Sequence, residues 1–471
     1  MKFGTRLFSE HLTPRQRILK FKEETHQLVE AVANYYLTLE ERNPKPNVQP
    51  FYLQNLLGKE PPLKPLKWEE TLHHFNSSIL DGAVHWQHPK FLAYFPSMTN
   101  FAAIQGEIIS RAINAVGFSW SASPVNTEME VLMADWVAKA IGLPFHFLHE
   151  SKQGGGLTHG TASEAILAVL IAARDSKPGK NPLVYVSEQT HSVVAKNARL
   201  LGIELRKIPA PWNPEVRNYP MDASALNNQI LEDKLRGFNP IFVCGTIGTT
   251  NSTAIDPITE IGKVAKEHNI WFHVDAAYSG SAMVCPEYKY LLEGVDYCDS
   301  FNFNGSKWLG TGFNCAFLYV KDKSQLIKTF SMNAEYLKSV DAEKVDFKDW
   351  QIPLGRDCRA FKVWTLFSQY GIEGIQTNIR NHVKLAQMLE ELILADPRFE
   401  LATKRELALV VCKLAQGDTS QLVKNLEEKK EVFLVGSQLG GESVLRISPA
   451  SEFMQPHHVE EIWNCIVSCV P

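Results

Sequence analysis

Short apolar runs alternate with helix-periodic stretches through the middle of this 471-residue chain. Leu183–Val186, Ile203–Ile208, Ile241–Cys244, Ile270–Val274 and Cys315–Val320 are each four to six residues long, the length of buried strands. Between them, residues 222–236 and 258–268 carry apolar positions at helical spacing. Strands that alternate with helices predict an α/β fold, a mostly parallel sheet covered on both faces. Upstream, residues 12–40 set Ile18, Leu19, Phe21, Leu28, Val29 and Tyr36 among charges in a helical rhythm, and prolines at 44, 46, 50, 61, 62 and 65 then interrupt the chain. A long amphipathic helix cut off in this way has little core of its own. It is expected either as an arm on another subunit or as a peripheral helix of the same one. From about Ile375 the composition shifts to a smaller α+β unit. Its expected parts are a helix at 378–395, a strand at Leu407–Leu414, a helix at 419–429, strands at 432–436 and 443–447, and a last helix from about 457. The expected divisions are 1–85 (helical arm), 86–375 (large domain) and 376–471 (small domain).

Two strands end in chemistry. The run 270–274 delivers Asp275 to its carboxyl end, and Phe301-Asn302-Phe303 carries Lys307 just beyond its own end. In open α/β sheets that edge is where ligands bind, so an acid and an amine are expected to meet there. A buried lysine forms a Schiff base with an aldehyde such as pyridoxal phosphate, and a carboxylate holds a pyridine nitrogen protonated. Upstream, the Gly-rich run 154–163 leads directly into an apolar helix, reads as a loop, and is expected to cradle an anion with its amides and with the hydroxyls of Thr161 and Ser163. It matches neither a Walker loop nor a Gly-x-Gly-x-x-Gly fingerprint. His191 opens a helix, and residues 245–252 form a hydroxyl-rich turn after a strand. Residues 86–97 are too aromatic for a solvent loop and serve either as core filling or as a pocket wall. Residues 329–350 break the rhythm and read as a mobile flap rather than a packed element.

Composition narrows the field. The chain has 48 basic and 52 acidic residues, a net charge of −4 and no long block of one sign, which argues against nucleic acid or an anionic membrane as partner. The apolar stretch Ile166–Ala173 is too short to span a bilayer, and the first residues lack the apolar core of a secretory signal. Eight cysteines without Cys-x-x-Cys spacing read as free thiols of a reducing compartment, so a cytoplasmic protein is expected.

Several stretches together resemble the aromatic-L-amino-acid decarboxylase family of pyridoxal-phosphate enzymes, group II. They are Phe-x-Ala-Tyr-Phe-Pro (91–96), Gly-Phe-Ser-Trp-x-Ala-Ser-Pro (117–124), His-Val-Asp-Ala-Ala-Tyr (273–278), Asn-Phe-Asn-x-x-Lys-Trp (302–308) and Trp-Gln-Ile-Pro-Leu-Gly-Arg (350–356). The resemblance covers about residues 20–470. It implies the type I fold of pyridoxal-phosphate-dependent transferases, with a seven-stranded sheet in the large domain, and a homodimer with shared active sites. By the same resemblance Lys307 is the Schiff-base lysine and Asp275 the partner of the pyridine nitrogen. His191 stacks on the cofactor ring, with Ala277 on its other face. Ala162, Ser163 and Asn304 contact phosphate, and Thr246 makes a contact near the substrate or cofactor hydroxyl. Trp86, Tyr94, Phe95 and Pro96 line the substrate pocket, Val116 and Phe118 enter it from the neighbouring subunit, and Tyr336 is the flap tyrosine that returns a proton to the substrate.

The family usually has Pro-His before its lysine, whereas this chain has Gly305-Ser306, whose hydroxyl can still donate to phosphate. Gly355 matches a position where some members carry serine, and its missing side chain points to an indole or catechol rather than an imidazole. The implied activity is decarboxylation of an aromatic L-amino acid of the tryptophan, tyrosine, dihydroxyphenylalanine or phenylalanine type. The alternatives are an oxygen-using aromatic acetaldehyde synthase and a histidine-type decarboxylase. No metal is expected.

Overall fold

The computed structural model describes residues 12–332 and 344–471. Helix α1 (Pro14–Leu37) starts at a Thr13 capping box with proline in its first turn. Two short helices, α2 (Tyr52–Leu57) and α3 (Trp68–His74), follow the proline-rich connector, and α4 (Phe101–Ile113) and α5 (Pro124–Ile141) lead to the sheet.

The sheet strands are β1 (Gly155–His159), β2 (Pro182–Ser187), β3 (Glu204–Ile208), β4 (Asn239–Thr246), β5 (Trp271–Asp275), β6 (Ser300–Asn304) and β7 (Ala316–Val320). Their order is β1-β7-β6-β5-β4-β2-β3, and β7 alone runs against the rest, pairing antiparallel with both β1 and β6. The connecting helices are α6 (Ala162–Ser176), α7 (Ser192–Leu200), α8 (Ala223–Leu235), α9 (Ile258–Glu267) and α10 (Lys323–Phe330). Side chains alternate across the pleat. Phe317 and Tyr319 enter the core layer with α5, α8 and α9, and Leu318 and Val320 enter the layer with α6 and α7. Burying each such large side chain contributes roughly 1.5–3 kcal/mol, so this two-sided core is what fixes the strand ends.

The C-terminal part pairs a four-stranded sheet with helices. Helix α11 (Ala360–Ala395) runs through the composition shift at 375 and is broken at Gly371, which adopts φ 60°. Then come β8 (Phe399–Leu401), β9 (Val410–Leu414), α12 (Thr419–Lys429), β10 (Val435–Leu439), β11 (Glu442–Ile447) and α13 (Pro456–Ser468), with the sheet ordered β10-β11-β9-β8. The segment 90–92 is stitched to this unit by backbone bonds from Leu92 to Phe433, Phe433 to Lys90 and Ser448 to Leu92.

Two expectations fail here. The glycines at 154–156 do not form an anion loop. Residues 155–159 are β1, because a side chain at any of the three positions would collide with packed neighbours: a Cβ at Gly154 would sit 1.9 Å from the His146 carbonyl oxygen, and one at Gly156 would sit 2.4 Å from the Tyr319 ring. The expected flap at 329–350 is packed at its far end, where Phe347 and Trp350 are buried on one helical turn (Phe347–Trp350), Phe347 under the Arg356 guanidinium and Trp350 stacked on His149. All eight cysteines are free and buried, as their scatter implied.

Candidate active site

The register of the central strands builds the site. Thr246, Asp275 and Asn302 lie side by side at the carboxyl ends of β4, β5 and β6. Asp275 is buried, and its Oδ1 accepts from the Ala277 amide at 2.9 Å and the Asn302 side chain at 3.3 Å. Thr246 is held by Asp256, whose two carboxylate oxygens accept the amides of Met221 and Thr246 at 2.8 Å each. Burial pushes the Asp256 carboxyl up to about 6, and those amides pull it back.

Lys307 sits in a single wide helical turn, Gly305–Leu309, closed by the Gly310 amide bonding to the Gly305 carbonyl. Such i-to-i+5 turns concentrate at functional sites. The turn is tied on both sides, by Ser306 N–H to the Cys315 carbonyl at 3.0 Å and by Met98 N–H to the Ser306 carbonyl at 2.8 Å. Packing requires glycine at 305, since a Cβ there would sit 2.9 Å from the Phe317 ring. Below the lysine three rings stack. Phe95 lies on Tyr278 at 3.7 Å and Tyr278 on Trp308 at 4.8 Å, and the Trp308 indole donates to His382 at 3.1 Å. Lys307 Nζ lies 5.3 Å from the centre of Phe95. Burial pushes its ammonium down to about 8, Asp275 opposes the shift, and Arg446 adds to it. Arg446 on β11 is itself buried and lies over the same Phe95 ring at 5.1 Å, so the small domain contributes to the charge of the site.

His191 caps α7, with Nδ1 accepting the Val193 amide at 3.1 Å. Its imidazolium is disfavoured by burial, and it senses both Asp275 and Lys307, so the three expected groups face one space. The amino end of α6 faces it too. The Ala162 amide donates to Asn304 Oδ1 at 3.1 Å, while the Asn304 amide donates to the Ala277 carbonyl at 3.0 Å. Thr161 caps the helix, and Glu164 folds back to accept the Gly160 amide at 2.9 Å. Ser163, in the same first turn, is exposed. A helix start with an exposed hydroxyl and its positive dipole end is an anion site, and here it stands across from a half-buried amine and a buried carboxylate. That donor set fits a phosphorylated pyridine aldehyde: α6 and Asn304 would hold the phosphate, Asp275 the ring nitrogen and Lys307 the aldehyde carbon.

Of the expected pocket wall, Phe95 and Pro96 are buried, while Trp86 and Tyr94 remain exposed and stack on each other at 5.8 Å. Val116, Phe118 and Gly355 group around Arg356. The Gly117 amide bonds to the Arg356 carbonyl, the Lys348 amide bonds to the Phe118 carbonyl, and a Cβ at Gly355 would come 4.0 Å from Val116. Arg356 forms a buried pair with Glu130, which also accepts from Thr158 N and Oγ1. Tyr336 lies outside the described residues. The sequence reading missed Arg446, Asp256, the Glu130–Arg356 pair and the tie of Asn302 to Asp275. Each depends on contacts between distant stretches. Arg356 and Asn302 stood inside quoted motifs, but nothing local pointed to their partners.

The chain is similar to known proteins in sequence and fold. The pyridoxal-dependent decarboxylase conserved domain matches residues 50–415. Tyrosine decarboxylase 2 of Narcissus pseudonarcissus is 40% identical over 94% of this chain and 93% of its own length. Phenylacetaldehyde synthase of Arabidopsis thaliana is also 40% identical, over 95% of each chain. A crystal structure of Oryza sativa TDC with PLP and tryptamine superposes with a TM-score of 0.93 at 35% identity, covering 98% of this chain and 99% of that one.

Proposed function

The chain belongs to the pyridoxal-dependent decarboxylase family, and from that premise we propose that it converts an aromatic L-amino acid to the arylalkylamine and carbon dioxide. It is a carboxy-lyase whose cofactor is pyridoxal 5′-phosphate. The observation that carries the proposal is the convergence of Lys307, Asp275 and His191 beside a wall of aromatic rings.

Pyridoxal phosphate, when bound, supplies an aldehyde that condenses with amines and a ring that accepts the electron pair left when the Cα–carboxylate bond breaks. The residues do the rest. An amine lowered to about 8 spends an appreciable fraction of its time unprotonated at neutral pH, so Lys307 is a nucleophile without an added base. Asp275 would face the ring nitrogen and hold a proton on it. His191 would cover one face of the cofactor ring, and Ala277 would leave the other face free of bulk. Trp86, Tyr94 and Phe95 offer an aromatic side chain a stacking surface. Tyr336 gives its proton to the substrate's α-carbon, which completes the amine.

The site is completed by a second copy of the chain. Helix α1 exposes Ile18, Phe21 and Leu37 at 67%, 68% and 81%, and Leu63 in the connector is fully exposed, an apolar surface that supports burial against a partner subunit. Val116 and Phe118 then enter the partner's pocket with Gly355 behind them. Among the described residues no helix is long and apolar enough to cross a membrane.

Turnover on a panel of tryptophan, tyrosine, dihydroxyphenylalanine, phenylalanine and histidine tests the substrate class. The aromatic four should exceed histidine in kcat/KM, and a preference for histidine would overturn the reading of Gly355. Tyr336→Phe should divert the reaction to aldehyde, ammonia and peroxide at the expense of dioxygen. Unchanged amine formation would remove Tyr336 from the mechanism.

A further inference from the structure

Behind Asp275 a file of side chains runs across β5 and β6. Trp271, His273 and Asp275 alternate on one face of β5, and Ser300 and Asn302 alternate on the matching face of β6, in register as His273 with Ser300 and Asp275 with Asn302. The contacts are continuous: Trp271 Nε1 to Ser300 Oγ at 2.8 Å, Ser300 Oγ to His273 Nδ1 at 2.8 Å, His273 Nε2 to Asn302 Oδ1 at 2.6 Å and Asn302 Nδ2 to Asp275 Oδ1 at 3.3 Å. His273, Ser300 and Asn302 are wholly buried, and the Phe242 ring covers the imidazole at 5.8 Å.

Chemistry gives this file a single direction. An indole N–H only donates, so Ser300 accepts from Trp271 and has one proton left, which it gives to His273 Nδ1. Burial pushes the His273 imidazole down to about 4, so the ring is neutral and its remaining proton is on Nε2. That proton meets the Asn302 oxygen, which turns the amide N–H towards Asp275. The reverse order would aim the amide oxygen of Asn302 at a carboxylate, two acceptors face to face. Four donors therefore point the same way, each polarising the next. The file ends on Oδ1, which also takes the Ala277 amide. Oδ2 has no hydrogen-bond partner among the described residues and remains for a ligand.

We propose that Trp271, Ser300, His273 and Asn302 form a one-way donor relay that aims and polarises the Asp275 carboxylate, making His273 a positioning residue for the proton on the cofactor's ring nitrogen. The proposal rests on the reading of Asp275 as the partner of that nitrogen. It adds a reason why the second residue of His-Val-Asp is not what matters in that motif, whereas its first is: position 273 shares the face of Asp275 and position 274 does not.

The test is holoenzyme reconstituted with cofactor carrying 15N in the ring, read by solid-state NMR beside steady-state kinetics. Wild type should show a protonated ring nitrogen. His273→Phe should move the resonance towards the unprotonated value and lower kcat about tenfold or more while KM changes less than twofold. His273→Gln, which keeps an acceptor for Ser300 and a donor for Asn302, should restore most of both. An unmoved resonance in His273→Phe would overturn the relay, whatever happens to kcat. Should that variant fail to fold, Ser300→Ala removes the hydroxyl that donates to the imidazole at nearly constant volume and must shift the resonance the same way. Its failure to do so would also overturn the proposal. Asp275→Asn separates the two readings. If it leaves the nitrogen protonated, the role of Asp275 falls and the relay with it. If it deprotonates the nitrogen while His273→Phe does not, the relay alone falls.

Discussion

A lysine ammonium half withdrawn from water is a cost to the fold, and the cost has a pH window. In the unfolded chain Lys307 titrates near its ordinary value of 10.5, and in the folded chain it titrates at about 8. Below pH 8 both states are protonated and the folded state carries the whole desolvation penalty. As pH rises from 8 to 10.5 the folded state sheds its proton first and gains relative stability. Lys307→Met should therefore stabilise the apoprotein at pH 7 by at most about 3 kcal/mol, and the gain should shrink through that window. Denaturant titrations at pH 7 and pH 10 measure it, and equal gains at the two would contradict the assignment. The same change must leave no borohydride-trappable adduct. Asp275 and Lys307 were legible in the sequence because a strand's carboxyl end marks where side chains meet a ligand. His273 and Asn302 stood inside quoted motifs, yet their role was not, because register between strands is a property of pairs.

At the scale of elements, the apolar strands and most helices were readable from periodicity, since burial on two faces leaves uninterrupted Val, Ile and Phe runs. The exceptions have local causes. Strand β1 carries two glycines in five residues and so reads as a loop, while β8 has only three residues and no pattern to read. Gly371 kinks α11, so its two halves read as separate helices. The finding on β1 makes a prediction. Gly154→Ala should cost about 2 kcal/mol or more in stability, as its Cβ meets backbone, while the folded fraction keeps its affinity for pyridoxal phosphate. A large loss of affinity at unchanged melting temperature would return those glycines to the anion site. Thr161→Ala, which removes the cap of α6, should weaken cofactor retention and lower stability by about 1 kcal/mol.

At the scale of the molecule, a small domain brings Arg446 over Phe95, and an arm with its apolar face outward supports the proposed assembly from two copies. Length, charge balance and the cofactor motifs indicated the class from sequence alone. The contributions of Arg446 and the Glu130–Arg356 pair had no such signal, because they join segments more than 200 residues apart. If Phe118 works in the partner's pocket, mixing inactive Lys307→Ala with inactive Phe118→Asp should restore activity in the mixed dimer. Continued inactivity of a mixture shown to exchange subunits would confine Phe118 to its own chain. The central claim, amine-forming decarboxylation, is tested most directly by one product balance on the purified holoenzyme with an aromatic L-amino acid. Carbon dioxide and amine should appear in equal amounts with no peroxide and no uptake of dioxygen. Aldehyde, ammonia and peroxide in proportion to carbon dioxide would contradict it.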